Sequence, residues 1–169
     1  MKHTIAVLVE NHPGVLARIS GLFSARGFNI DSLAVGETED PTVSRMTIVV
    51  EGDERTLEQV KKQLNKLIDV ITVSDLTQKK FIDRELVLIK VEVATPEDRN
   101  QIIEIAETME ANIADLGLQT ITVEGVGETL KIDKLTELLK PFGIKEIVRT
   151  GKIAMAKDVK EPKEPEEEQ

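Results

Sequence analysis

The stretch ENHPGVLARISGLFSARGFNI, Glu10 to Ile30, decides how the rest of the chain is read. Just before it, Ile5, Val7 and Val9 alternate with Thr4, Ala6 and Leu8, so His3–Glu10 has the period of a strand. Pro13 suits the first turn of a helix, where its missing N–H is no loss. Val15, Leu16, Ile19, Leu22 and Phe23 follow at helical spacing, and Gly27 behind Arg26 is a stop. A strand thus passes into a helix through four loop residues, Asn11-His12-Pro13-Gly14. That is how a split βαβ unit begins.

Working outward, Phe28–Val35 and Val43–Glu51 read as two strands joined by Gly36–Thr42. Gly52-Asp53 announces a helix whose apolar stripe is Leu57, Val60, Leu64 and Leu67, and Val70–Leu76 closes the unit as a strand. The order βαββαβ then repeats. Glu85–Ala94 is a strand with Val87, Ile89, Val91 and Val93 on one face. Thr95-Pro96-Glu97-Asp98 resembles a capping box leading into a stripe of Ile102, Ile105, Ala106 and Met109. Asn112–Leu116 and Leu118–Gly125 are short strands, Glu128–Lys140 is a helix ended by Pro141, and Ile144–Ala156 is the last strand region. The expected fold is α+β, with two tandem ferredoxin-like βαββαβ domains at residues 1–76 and 84–156. Residues 77–83 form a linker, and the charged, Pro-broken tail 157–169 is expected to be disordered.

Composition narrows the function classes. The chain has 169 residues, 40% apolar and 31% charged, enough for two small cores. No apolar stretch reaches the ~20 residues of a membrane span, and the start lacks the pattern of a signal peptide. Cysteine is absent, which excludes disulfides, thiolate metal sites and a cysteine nucleophile, and fits a cytoplasmic protein. The net charge of −9 divides evenly: residues 1–76, 77–156 and 157–169 each carry three more acidic than basic side chains. With no basic patch, no Trp or Tyr and four Phe, nucleic-acid binding is disfavoured. The two histidines, His3 and His12, have no ligand-spaced partners in the sequence, so no metal site is expected, and no carboxylate pair stands out as catalytic.

The loop before the first helix is the candidate site. A helix N-terminus carries amides without internal partners and partial positive charge, which suits a carboxylate. Gly14 lets a ligand approach the backbone, and Asn11 offers a side-chain amide. Asn29, at the start of the next strand, brings both a donor and an acceptor for an ammonium group. Carboxylate on one side and ammonium on the other describes a free amino acid. The plain alternative is local: Pro13-Gly14 as a turn, Asn11 as a cap, His12 as an exposed loop residue, and Arg18 and Arg26 on the solvated side of the helix.

The segments VLVENHPGVLARISGLFSARGFNIDSLAV (7–35), DPTVSRMTIVVEGD (40–53) and QLNKLIDVITVSDLT (63–77) resemble the regulatory, or small, subunit of acetolactate synthase, also called acetohydroxyacid synthase. The resemblance is strongest over residues 2–78, an ACT domain in that family. Residues 84–156 are similar to the family's C-terminal domain in length and element order. The resemblance implies a subunit without an active site or cofactor of its own. It would activate a separate catalytic (large) subunit that holds thiamine diphosphate, magnesium and FAD. It would also confer feedback inhibition by a branched-chain amino acid, usually valine. It further implies a homodimer through the ACT domains, with the effector at the junction. The effector site is then Asn11, His12, Pro13, Gly14, Val15 and Leu16 of one chain with Asn29, Ile30 and Leu33 of the other. Two readings stand beside it. One is a stand-alone amino-acid sensor serving another enzyme or regulator. The other is a small acyl phosphatase, which the same fold could host, but the loop after the first strand carries no Arg.

Overall fold

The structure is a computed structural model that describes residues 1–158, so the expected tail lies almost wholly outside the described residues. The first half runs β1 (Lys2–Glu10), α1 (Val15–Ala25), β2 (Ile30–Glu37), β3 (Val43–Glu51), α2 (Glu54–Asn65) and β4 (Val70–Asp75). The second runs β5 (Phe81–Glu92), α3 (Pro96–Thr108), β6 (Asn112–Leu116), β7 (Thr120–Gly127), α4 (Thr129–Leu139), a 3₁₀ turn (Lys140–Phe142), β8 (Ile144–Arg149) and β9 (Ile153–Ala156). The strand orders are β2-β3-β1-β4 and β6-β7-β5-β8, so the two halves share one antiparallel topology. Each is the ferredoxin-like plan that the sequence pattern implies.

Helices cover one face of each sheet. Ile5, Val7 and Val9 of β1 meet Ile19 and Phe23 of α1 and Val60 and Leu64 of α2. Val87, Ile89 and Val91 of β5 meet Ile102 of α3 and Ile132 and Leu135 of α4. Local chemistry sets the helix ends. The Asp53 carboxylate accepts from the Thr56 N–H at 2.7 Å, and the Thr95 hydroxyl oxygen accepts from the Asp98 N–H at 3.1 Å with Pro96 opening the helix. α1 ends in a Schellman turn: the Gly27 N–H reaches the Ser24 carbonyl at 3.1 Å and the Phe28 N–H reaches that of Phe23 at 3.0 Å.

The halves are joined by a ribbon as well as by a link. β9 pairs with Phe81–Arg84 of β5, and this two-stranded ribbon lies on the face of the first sheet that the helices leave open. The Ala154 N–H donates to the Thr47 hydroxyl at 3.4 Å, and Arg45 Nη2 donates to the Ala154 carbonyl at 2.8 Å. Ala6, Leu76 and Ala154 form a small apolar cluster with Phe81 packed against it. Thr4, Ala6 and Thr47 are therefore buried although they sit on the sheet's helix-free side.

Three details depart from the sequence reading. Pro13 lies in the turn before α1, because Gly14 takes a left-handed conformation (φ 85°) and the helix starts only at Val15. Phe81–Asp83, read as the end of a linker, belong to β5 because β9 supplies them with a partner strand. The region Ile144–Ala156 is two strands, since the chain turns at Gly151 (φ 80°) and changes sheets.

Two outcomes follow from this packing. A Cβ on Gly125 of β7 would lie 2.7 Å from Leu135 Cδ2 of α4 and 3.2 Å from Val87 Cγ1. Gly125→Ala is expected to overpack the second core and cost about 1–3 kcal/mol in urea unfolding. Hydrogen bonds from the Thr42 hydroxyl and N–H hold the Asp40 carboxyl below the usual aspartate range, and those from Thr56 do the same for Asp53. Their support for the β2–β3 loop and for α2 is present above the unfolded-state aspartate range and is lost as pH falls through the lowered folded values. Carboxyl-carbon NMR titration should show both groups ionising below ordinary aspartates.

Candidate functional site

The loop from β1 to α1 is built by backbone first. The Asn11 N–H donates to the Thr42 carbonyl at 2.7 Å and the His12 N–H to the Glu10 carbonyl at 3.0 Å, so the chain leaves the sheet in a fixed direction. Gly14 then caps α1 without a side-chain hydrogen bond. The Val15 N–H reaches the His12 carbonyl at 3.4 Å, and the Arg18 N–H closes the first helical turn on the Gly14 carbonyl at 3.0 Å. The amides of Gly14, Leu16 and Ala17 have no protein acceptor among the described residues. A helix start with open N–H groups and no carboxylate in its own first turn is an anion cradle.

Charged side chains frame the cradle. Side chains on a helix tilt toward its N-terminus. Arg18 accordingly reaches back one turn, and a Cβ on Gly14 would lie 3.3 Å from its Nη1. Arg18 is paired with Asp69, just before β4. The imidazole of His12 lies 3.6 Å from both Asp69 and Glu10. Glu10, His12 and Asp69 thus offer three possible metal-ligand atoms within 4.8 Å of one another. The guanidinium of Arg18 already balances Asp69, so the group reads as a charge network at the cradle mouth.

The expected site residues fall into separate places. The Asn11 amide donates to Glu37 Oε1 at 3.1 Å and to the Pro41 carbonyl at 3.0 Å, so in this state it anchors the cradle to the β2–β3 loop. Pro13 and His12 are exposed. Val15 gives the cradle no free donor, since its N–H is bonded to the His12 carbonyl, and its side chain, 4% exposed, belongs to the core beside Ile19 and Phe23. Leu16 is 45% exposed and free to meet a ligand. Asn29 donates to Asp31 Oδ1 at 3.3 Å, and Asp31 pairs with Lys2 at 3.2 Å. Ile30 and Leu33 are half-buried on β2, packed against the first core.

One chain does not bring the two groups together. β2 runs parallel to β1, with β3 between them. Ile30 is level with Val50 and so with His3, whereas Glu37 is level with Ser44 and so with Val9. The Asn29 end and the Gly14 end therefore lie at opposite ends of the sheet, separated by nearly the nine residues of β1, or roughly 25 Å at the usual rise per residue. β2 is an edge strand whose outer backbone has no partner among the described residues.

The sequence reading puts Arg18 on the solvated side of the helix, where it lies, without giving it a place beside Gly14, and does not single out Asp69. Arg18 stands four residues after Gly14, a spacing that puts it on the same helix face, so that signal was available. Asp69 reaches the cradle only because β4 pairs with β1 so that Val70 faces Val9, a long-range register that no local pattern encodes. Among the described residues no helix is long and apolar enough to cross a membrane.

Comparison with known proteins adds the family. The model described as "AHAS small subunit-like ACT domain" matches residues 5–72, and the one described as "Small subunit of acetolactate synthase" matches residues 84–158. The chain is 54% identical over 157 residues to a probable acetolactate synthase small subunit of Archaeoglobus fulgidus, covering 93% of this chain and 98% of that protein. It is 51% identical over 155 residues to the acetolactate synthase small subunit of Mycobacterium leprae, covering 92% and 91% of the two chains. The crystal structure of the acetolactate synthase small subunit from Thermotoga maritima superposes with a TM-score of 0.85 at 37% identity, over 94% of this chain and 99% of that one. Two family models end to end and relatives matched over nearly their whole length make this chain a member of the acetolactate synthase small-subunit family, with an ACT domain in its first half.

Proposed function

We propose that this chain is a cytoplasmic, non-catalytic regulator that activates an acetolactate synthase catalytic subunit and makes it sensitive to a branched-chain amino acid, with valine as the effector. In this reading thiamine diphosphate, magnesium and FAD all reside in the catalytic partner, and this chain contributes only the switch.

The observation that carries the proposal is the open amide cradle at Gly14–Ala17, seen together with its separation from Asn29. An amino acid needs both ends satisfied. A twofold axis beside β2, running the edge strand antiparallel to its copy, sets the Ile30 end of one chain against the Glu37 end of the other. Asn11 already ties the cradle to Glu37. The effector carboxylate then meets the amides of Gly14, Leu16 and Ala17 with Arg18 nearby. Its ammonium meets Asn29 or the Ile30 backbone of the second copy. Its branched side chain packs on Leu16 and on the exposed parts of Ile30 and Leu33. Charge-assisted hydrogen bonds of this kind contribute about 1.5–3 kcal/mol each before ordering costs. Because the site needs two chains, the ligand favours one dimer arrangement over others, which is the condition for regulation.

Gly14→Asp places a carboxylate at the cradle, against Arg18 and at a left-handed backbone position. Loss of two charge-assisted bonds corresponds to roughly a hundredfold or more in affinity. The reconstituted complex should keep its activation by the variant and lose valine inhibition. Full valine sensitivity in that complex would place the effector elsewhere. Asn29→His, which gives up the side-chain amide, is expected to weaken calorimetric valine binding by about tenfold, the equivalent of one hydrogen bond. Unchanged affinity would remove Asn29 from the site.

A further inference from the structure

We propose that the Thr150–Gly151–Lys152 turn of the second domain, seated on Ser32 and Leu33 of β2, is the contact that carries effector occupancy of the first domain to the second; this rests on the effector reading above.

The contact is close and mostly backbone. The Lys152 N–H donates to the Ser32 hydroxyl at 2.9 Å. A Cβ on Gly151 would stand 3.0 Å from the Leu33 carbonyl oxygen and 3.0 Å from Ser32 Oγ, and Gly151 itself has φ 80°. Any other residue there would push the turn off the strand. The turn moves with its own domain. Arg149, just before it, bonds Glu85 of β5, with Nη2 at 3.0 Å from Oε2, and Asp133 of α4 at 3.0 Å. Those two carboxylates raise the guanidinium's proton affinity further. The Thr150 N–H and hydroxyl are likewise spent on Leu86 and Gly151.

The strand beneath the turn is the adjustable partner. The register of β2 against β3 slips between Ile30 and Ser32, leaving Asp31 as a bulge. Bulges re-aim side chains and are places where pairing gives way. Asn29 and Ile30, the residues assigned to the effector ammonium, stand on one side of that bulge, and Ser32 and Leu33 on the other. Asp31 itself is held by Lys2 and Asn29, so recruiting Asn29 to a ligand breaks one of its two ties. A cavity of about 670 Å³ lies beside the contact, bounded by Lys2, Asp31, Phe81, Asp133, Arg149 and Lys152. It gives the turn room to shift without expelling packed side chains. The coupling element is thus the bulged segment 29–33, with the effector ammonium at Asn29 and Ile30 before the bulge and the second-domain turn on the Ser32 hydroxyl and the Leu33 carbonyl after it.

The test compares binding with inhibition, using the full chain and the complex reconstituted with the catalytic subunit. Ser32→Ala removes the acceptor of the Lys152 N–H, and Gly151→Ala forces a Cβ against the Leu33 carbonyl. Ser32→Ala is the mild variant if Gly151→Ala does not fold. Both are expected to keep activation and to bind valine within about threefold of the wild-type affinity by calorimetry, while the half-inhibitory valine concentration rises by about tenfold or maximal inhibition drops below half. Wild-type inhibition in Ser32→Ala, with valine bound normally, overturns the coupling and leaves the effector site intact. Absence of any valine binding by the wild-type chain overturns both, and so does full sensitivity in Gly14→Asp.

Discussion

The structure depends on how the open face of the first sheet is covered. A βαββαβ sheet protects only one face with its helices, and an antiparallel sheet can leave the other in water. Here the second face carries Thr4, Ala6, Ser32 and Thr47, small or hydroxylated, beside the larger Leu8, Arg45 and Val49. Such a surface allows a backbone to come close. The β5–β9 ribbon does so, and its N–H groups find hydroxyl acceptors on Ser32 and Thr47. The two domains are consequently held by hydrogen bonds between main-chain groups of the second and side chains of the first, with little apolar burial: the cluster at the seam has three buried members, against twelve in the first core. An interface of that type fixes register more strongly than it resists displacement.

A second constraint is geometric. The fold separates a helix start that suits a carboxylate from an asparagine that suits an ammonium group by the length of a strand. No side-chain rearrangement within one chain can close that distance. The strand that follows Asn29, β2, is one of the two edges of the first sheet, and it is the edge that the proposed twofold pairing uses. Of the two carboxylates beside the cradle, Asp69 is paired with Arg18, and the His12 ring lies between Asp69 and Glu10.

Much of this was legible in the sequence. The alternation of His3–Glu10, the stripe from Val15 to Phe23 and the caps at Asp53 and Thr95 are local signals, and each corresponds to an element in the structure. The repeat of element order was visible without any repeat of residues. What local patterns could not supply was pairing at a distance. Phe81–Asp83 read as a connector because nothing nearby announces a strand partner; β9, about seventy residues away, is that partner. The cradle was located by Pro13 and Gly14. Its details were not: Val15 faces inward because the helix begins one residue past a left-handed glycine, and Asn11 turns to Glu37 because the β2–β3 loop folds back over it. The Asn11 and Phe81–Asp83 corrections come from tertiary contacts, and the Val15 one from the local conformation of Gly14.

β5 also has a mechanical meaning. Its twelve residues serve two structures at once, the first four in the ribbon and the rest in the centre of the second sheet. A cut in Thr77–Lys80 would leave the contacts at Ser32, Arg45 and Thr47 as the remaining join between the halves. Deleting the distal half, by contrast, would lay bare the open face of the first sheet and leave the side chains of Ser32, Arg45 and Thr47 without their partners. The proximal half on its own should then be prone to stacking face to face.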